Sequence, residues 1–150
     1  MNKLWNIANF FAKKGGHLGL LLSRMFELLN HIICSCSVSA KAEIGDGTEF
    51  LHRGIGCVIH PKVVIGKKCK IFQHVTLGSK WSDGICEGDA PTIGDNVLLG
   101  AGCVILGNIT IGKNSIIGAN TVILKDVPPN SIAVGNPASI TTNPNKDSKR

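Results

Sequence analysis

The sequence predicts an all-β protein built as a parallel β-helix of hexapeptide repeats, with a short N-terminal helical segment in front. Three observations lead there. Aliphatic residues recur every six positions, at Ile59, Ile65, Ile71 and Leu77, then at Ile93, Leu99, Ile105, Ile111, Ile117 and Ile123. Glycine follows several of them, at Gly66, Gly78, Gly94, Gly100, Gly112 and Gly118. Four positions after the aliphatic residue stands a small or β-branched one: Val63, Cys69, Val75, Val97, Cys103, Ile109, Ser115, Thr121 or Val127. A period of six fits neither the 3.6 of a helix nor the two of a long strand. It fits a β-helix in which each hexad is one short strand and a corner, three hexads making a triangular coil.

The leading aliphatic residue and the small residue four positions on point inward in this scheme. Stacked coils then form water-free ladders, each large side chain contributing about 1.5–3 kcal/mol on burial. The glycines are expected at corners, through positive φ or close backbone approach. Asn96, Asn108, Asn114 and Asn120 are further corner candidates, because Asn tolerates left-handed geometry. About twelve hexads give roughly four coils, enough for neighbouring coils to cover one another.

Residues 1–35 are different in kind. Leu18, Leu20, Leu21, Leu22, Met25, Phe26, Leu28, Leu29, Ile32 and Ile33 predict a helix with a wide apolar face. Gly15-Gly16 separates it from a first short helix around Leu4–Lys13. Polar residues interrupt every 18-residue stretch, so a membrane span is not expected, and no signal-peptide pattern is present. The favoured role is a cap on the first coil, protecting its edge. The alternative is peripheral membrane contact by residues 1–33 through Trp5, Phe10, Phe11 and Lys13-Lys14. The β-helix domain is expected over residues 36–140, and residues 141–150 read as a flexible, solvated tail.

The repeat breaks twice. Val38, Ile44 and Phe50 keep the six-residue spacing, but the phase slips by three before Ile59, on TEFLHRGIGCVIHP. Ile93 stands sixteen positions after Leu77, about four more than a multiple of six, and the Gly, Ser, Asp and Pro there predict a projecting loop over 79–91. Loops on a rigid scaffold commonly carry binding groups. The two breaks hold the candidate site residues: His52 and Arg53 in the first, Trp81 and Asp89 in the second, with His60 and His74 nearby. A neutral imidazole is a natural general base for a hydroxyl. For His60 and His74 a plain surface role is favoured; for His52, at the phase slip, the functional role is. A three-histidine metal site is not expected, since spacings of 8 and 14 between His52, His60 and His74 differ from the pattern of γ-class carbonic anhydrases.

Composition narrows the class. Six cysteines in 150 residues do not form a disulfide framework here. Cys57, Cys69 and Cys103 fall in the small inward slot, where Cys acts as a small hydrophobe, and a reduced, cytoplasmic setting is expected. No CxxC pair points to zinc. The net charge of +6 carries no block of like charge, so a nucleic-acid partner is not expected. Lys67, Lys68 and Lys70 serve either solubility or attraction of a phosphorylated ligand. An ice-binding array is set aside, because Thr76, Thr92, Thr110 and Thr121 do not share one repeated position.

The segments LHRGIGCVIHPKVVIGKKCKIFQHVTLGS and APTIGDNVLLGAGCVILGNITIGKNSIIGANTVILKDVPPNSIAVGNPA resemble the hexapeptide acyltransferases, specifically the serine acetyltransferase-like branch, over about Ala42 to Ala138. The resemblance implies a left-handed parallel β-helix, a homotrimer with sites between neighbouring subunits, and acetyl-CoA as co-substrate. It implies His52 as general base and Gly78, Ala101, Ala119 and Lys125 as coenzyme contacts, backbone groups there meeting the pantetheine arm and the developing oxyanion. Counting back from Ile59 would instead put Arg53 at the histidine position. The departures concern the acceptor. Leu51 stands where serine acetyltransferases carry an acid, Ser37 near where an orienting aspartate falls, and Asp89-Ala90-Pro91 replaces Arg-His-Pro. The long N-terminal helical domain is replaced by some 35 residues. The chain is in this respect similar to short acetyltransferases of surface-polysaccharide gene sets. The expectation is therefore an acetyl-CoA-dependent O-acetyltransferase acting on a hydroxyl of a small acceptor, a sugar somewhat ahead of L-serine, with a non-catalytic scaffold as a further alternative.

Overall fold

The computed structural model describes residues 3–82, 85–86 and 88–142, with side chains left aside at Lys3, Leu4, Cys34, Trp81, Ser82, Ile85 and Cys86. Two-residue strands dominate and stack into three parallel sheets. The first sheet holds Ser37–Val38, Val58–Ile59, Thr76–Gly78, Val104–Leu106 and Val122–Ile123. The second holds Glu43–Ile44, Val64–Ile65, Thr92–Ile93 and Thr110–Ile111, extended by a bridge from Ile111 to Val127. The third holds Glu49–Phe50, Lys70–Ile71, Leu98–Leu99, Ile116–Ile117 and Ser131–Val134. The chain visits the sheets in rotation, so each hexad supplies one side of a triangular prism.

The ladders form the core. Ile65, Ile71, Leu77, Ile93, Leu99, Ile105, Ile111, Ile117 and Ile123 are fully buried, and Val63, Cys69, Val75, Val97, Cys103, Ser115 and Thr121 fill the small slot beside them. Ile109 is only partly buried. The buried Ser115 hydroxyl donates to Pro128 O at 3.0 Å, which meets its polar demand. The repeated glycines answer to close approach rather than to positive φ. A Cβ at Gly100 would stand 2.6 Å from Ala119 N, the next coil's backbone. Left-handed corners fall instead on Asn96, Asn114 and Asn120, whereas at Asn108 the preceding Gly107 takes that role.

Register measures the breaks. Partners lie 18 residues apart in the regular coils, as for Val104 and Val122. They lie 21 apart in the first coil, as for Ser37 and Val58, which is the three-residue slip. They lie 28 apart across the loop, as for Val64 and Thr92. The loop thus adds ten residues, not four: counting modulo six returns only the remainder. Within it Trp81–Ser82 pairs antiparallel with Ile85–Cys86.

The ends depart from the repeat. Ile116 and Ile132 are partners only 16 apart, and after Asn136-Pro137 the strand Ser139–Thr142 returns antiparallel on Ser131–Val134. Thr141 and Thr142, expected in the tail, belong to this strand; residues 143–150 lie outside the described residues. At the other end α1 (Lys3–Lys14) and α2 (Gly16–Cys34) form a hairpin. Trp5 Nε1 donates to Ser39 O at 3.0 Å, Asn9 Nδ2 to Ala40 O at 2.7 Å, and Ala40 N to Glu27 Oε1 at 2.6 Å. Trp5 is buried by these contacts. It is therefore unavailable to the alternative peripheral membrane contact, and Phe11 is half-buried, stacked on Phe26 at 6.0 Å.

Candidate functional site

The first sheet has two margins. The chain enters it from the third sheet and leaves it for the second. On the entry margin the corners of successive coils are residues 51–57, 72–75, 100–103 and 118–121. Backbone bonds stack them: His74 N to Ile55 O at 2.8 Å, Gly102 N to Gln73 O at 3.0 Å, and Asn120 N to Ala101 O at 2.8 Å. The topmost corner reads Gly54-Ile55-Gly56-Cys57, the same pattern as Gly100-Ala101-Gly102-Cys103 below it. Cys57 and Cys103 are both buried, and Gly56 and Gly102 both have left-handed φ, 68° and 70°. The first corner is thus a regular one with three residues inserted before it: Leu51, His52 and Arg53.

The insertion forms a short kinked turn, Leu51–Gly54, whose inner residues are not helical. His52 and Arg53 stand consecutively at φ 52° and 61°, an uncommon conformation for non-glycine residues that costs about 1–3 kcal/mol each. A corner of the Gly100–Cys103 form places its left-handed φ on glycine, so these two strained residues come with the insertion. His52 is exposed, its ring 6.2 Å from that of Phe72 on the next coil. Arg53 turns the other way, towards the helical hairpin, lining a small hollow with Trp5, Asn30, Phe50 and Gly54. Of the two register alternatives, His52 is the side chain that meets the entry margin.

His74 shares that margin. It is exposed, at φ 59°, and its ring lies over Gly56, where a Cβ would overlap it. The half-buried Ala101 and the exposed Ala119 continue the margin as small residues. Beside His74, Gln73 keeps a buried side-chain Oε1 that meets no donor among the described residues. Phe72, Gln73 and Gly56 escaped the sequence reading; Gly56 could have been found from the repeated G-x-G-C corner.

The exit margin collects the others. His60 extends a strand at the position next to Gly78, with His60 N bonded to Leu77 O at 2.9 Å. Its Nδ1 accepts from Lys62 N at 3.2 Å, which closes a local turn. His60 is therefore a sheet's width from His52 and His74 and does not join them. Among the described residues there is no group of three His, Cys, Asp or Glu able to hold a metal ion. Gly78 pairs with Leu106 and accepts from Gly107 N at 3.0 Å. Lys125 is exposed and lines a hollow of about 280 Å³ with Val122, Leu124, Asn136, Pro137 and Ala138. Asp89 is exposed on the loop; the Trp81 side chain lies outside the described residues. Between the margins runs the outward ladder Val58, Thr76, Val104, Val122, a shallow and mostly apolar floor. A larger hollow of about 450 Å³, between α2 and Ser37–Ser39, is lined by none of the sequence-predicted site residues.

A strained histidine standing out from an otherwise regular prism, above a groove bounded by small residues, defines a hexapeptide-repeat β-helix with an open binding face. Comparison with known proteins narrows this. The family model described as bacterial transferase hexapeptide (six repeats) matches residues 90–125. Serine acetyltransferase 1, chloroplastic, of Arabidopsis thaliana is 52% identical over 112 residues, covering 72% of this chain and 34% of that protein. Soybean serine acetyltransferase complexed with serine superposes with a TM-score of 0.81 at 36% identity, over 92% of this chain and 54% of that one. A serine acetyltransferase in complex with CoA does so with a TM-score of 0.78 at 30% identity, over 92% and 54%. The chain belongs to the hexapeptide-repeat acyltransferase superfamily, in its serine acetyltransferase-like branch. Its fold is the left-handed parallel β-helix that the resemblance implied. Two-residue strands accumulate little of the twist that makes nearly all other parallel crossovers right-handed. The chain spans less than half the length of the curated relatives it matches, 25% to 48% of it.

Proposed function

We propose that the protein is an acetyl-CoA-dependent O-acetyltransferase with L-serine as acceptor and His52 as general base. The observation that carries this reading is the insertion of Leu51–Arg53 into a regular corner, which holds an exposed imidazole at the edge of the groove. The acceptor hydroxyl passes its proton to the imidazole as its oxygen bonds to the thioester carbonyl carbon. The tetrahedral intermediate then expels the CoA sulfur, which takes the proton back from the imidazolium. Backbone groups near Ala101 and Ala119 stabilise the oxyanion, small side chains there letting the pantetheine arm lie close. The apolar floor of Val104 and Val122 suits that arm, and Lys125 supplies a cation for the phosphates at the exit margin.

The sequence departures at Leu51, Ser37 and Asp89-Ala90-Pro91 point to a sugar acceptor. The serine acetyltransferase relatives and neighbours favour serine instead. One observation keeps the sugar as second reading: Leu51, beside His52, offers no charge to an ammonium group. The site is proposed to be shared between copies in a homotrimer, supported by the outward apolar ladder Leu98, Ile116 and Ile132 on the third sheet. The proposed setting is the cytoplasm; among the described residues no helix is long and apolar enough to cross a membrane. Thiol release from acetyl-CoA, measured with L-serine and with a panel of sugars and nucleotide-sugars, tests the reading. Turnover with serine supports it, and turnover with a sugar alone moves the acceptor to the second reading.

A further inference from the structure

Helix α2 (Gly16–Cys34) is packed inside out. The side that meets the rest of the protein carries Gly19, Ser23 and Asn30, all buried, and the half-buried Glu27. The side that meets solvent carries Leu18, Leu21, Met25, Leu28 and Ile32, exposed by 70%, 66%, 46%, 59% and 67%, with Leu29 and Ile33 beside them. At 100° per residue these seven form a continuous apolar arc roughly 140° wide. An amphipathic helix ordinarily turns such an arc to the core, so this one is built to be covered by something else.

Charge identifies the cover. Residues 3–34 contain Lys3, Lys13, Lys14 and Arg24 but one acid, Glu27. Its Oε1 is engaged inward by Ala40 N. Arg24 stands between His17 and His31 in a row seven residues apart, exposed along one flank of the arc. A second copy of α2 laid along this face would bring Leu22 and Leu29 against Arg24 in a parallel pairing, or cationic flank against cationic flank in an antiparallel one. Neither supplies an acid, whereas an anionic lipid surface supplies both the apolar layer and the opposite charge. We infer that this face of α2 docks the protein onto anionic membrane surfaces, lying in the interface plane. The contact differs from the alternative raised by the sequence: Trp5 is used inside the protein, and the apolar side of α2 takes its place.

The test is co-sedimentation of the full chain with vesicles of phosphatidylcholine alone and of phosphatidylcholine with phosphatidylglycerol in equal parts, alongside native mass in solution. The expected result is binding to the anionic vesicles only, weakened about tenfold or more by Arg24→Glu. The double variant Leu21→Asp, Leu28→Asp should abolish it while native mass and melting temperature stay unchanged, since both side chains already face solvent. Failure of the wild-type chain to bind anionic vesicles overturns the proposal. So does a fall in native mass of the double variant, which would assign the face to a second copy.

Discussion

The imidazole of His74 lies directly over the bare Cα of Gly56, one coil away, and the backbone N of His74 donates to Ile55 O at 2.8 Å. Gly56 is thus constrained twice, by its φ of 68° and by the ring above it. Gly56→Ala should lower stability by about 1–3 kcal/mol and push the His74 ring aside. Urea unfolding measures the first effect. His74→Ala in the same background separates the two: it should recover the part of the loss due to overlap and leave the part due to φ.

Excising Leu51–Arg53 leaves Gly54-Ile55-Gly56-Cys57 as a corner of the same form as Gly100-Ala101-Gly102-Cys103. The excised protein should therefore fold, with unchanged circular dichroism and a melting temperature near or above that of the parent, because two strained residues are removed. Acetyl transfer should be lost. Misfolding of this variant would mean that the turn is structural rather than an insertion carrying function.

Lys125 lines the exit-margin hollow with Asn136, Pro137 and Ala138 and is exposed. Lys125→Ala should raise KM for acetyl-CoA about two- to tenfold with little change in kcat. Added salt should reduce the difference between wild type and variant. A change in kcat alone would remove Lys125 from coenzyme binding.

Burial pushes the Cys103 thiol up to about 12, with Cys57 adding to the rise, and burial raises Cys57 and Cys69 in the same direction. Above the ordinary value of 9.0 the unfolded chain releases a proton that the folded chain keeps. Stability is then full below about pH 9 and falls as pH rises towards 12, by up to about 1.4 kcal/mol per unit from this one group. Denaturant midpoints at pH 8 and pH 10 should drop more in wild type than in Cys103→Ala, whose lower absolute stability reflects the cavity left behind.

The repeat made the prism legible because each ladder position must be aliphatic and each slot beside it small, so Ile93 to Ile123 could be placed inward from spacing alone. The slip at His52 was legible as a count of three. Other features depend on quantities that spacing does not carry. A period fixes phase modulo six, so the loop after Gly78 appeared four residues long in excess rather than ten. It does not say which of three sheets a hexad occupies, so His60 and His74 looked equivalent although they stand on opposite margins. Helical periodicity located α2 but not which side meets the protein; the hydrogen bond from Ala40 to Glu27 sets its polar side inward. The closing hairpin at Asn136-Pro137 has no hexad pattern to announce it.

The central claim is that the imidazole carried by the three-residue insertion removes the acceptor's proton. Its most direct test is the steady-state rate of CoA release from acetyl-CoA with L-serine, compared between wild type and His52→Ala. The account predicts a fall of about 10²–10⁴ in kcat for the variant, with the acetyl-CoA-induced rise in melting temperature retained. An unchanged kcat in His52→Ala would contradict it.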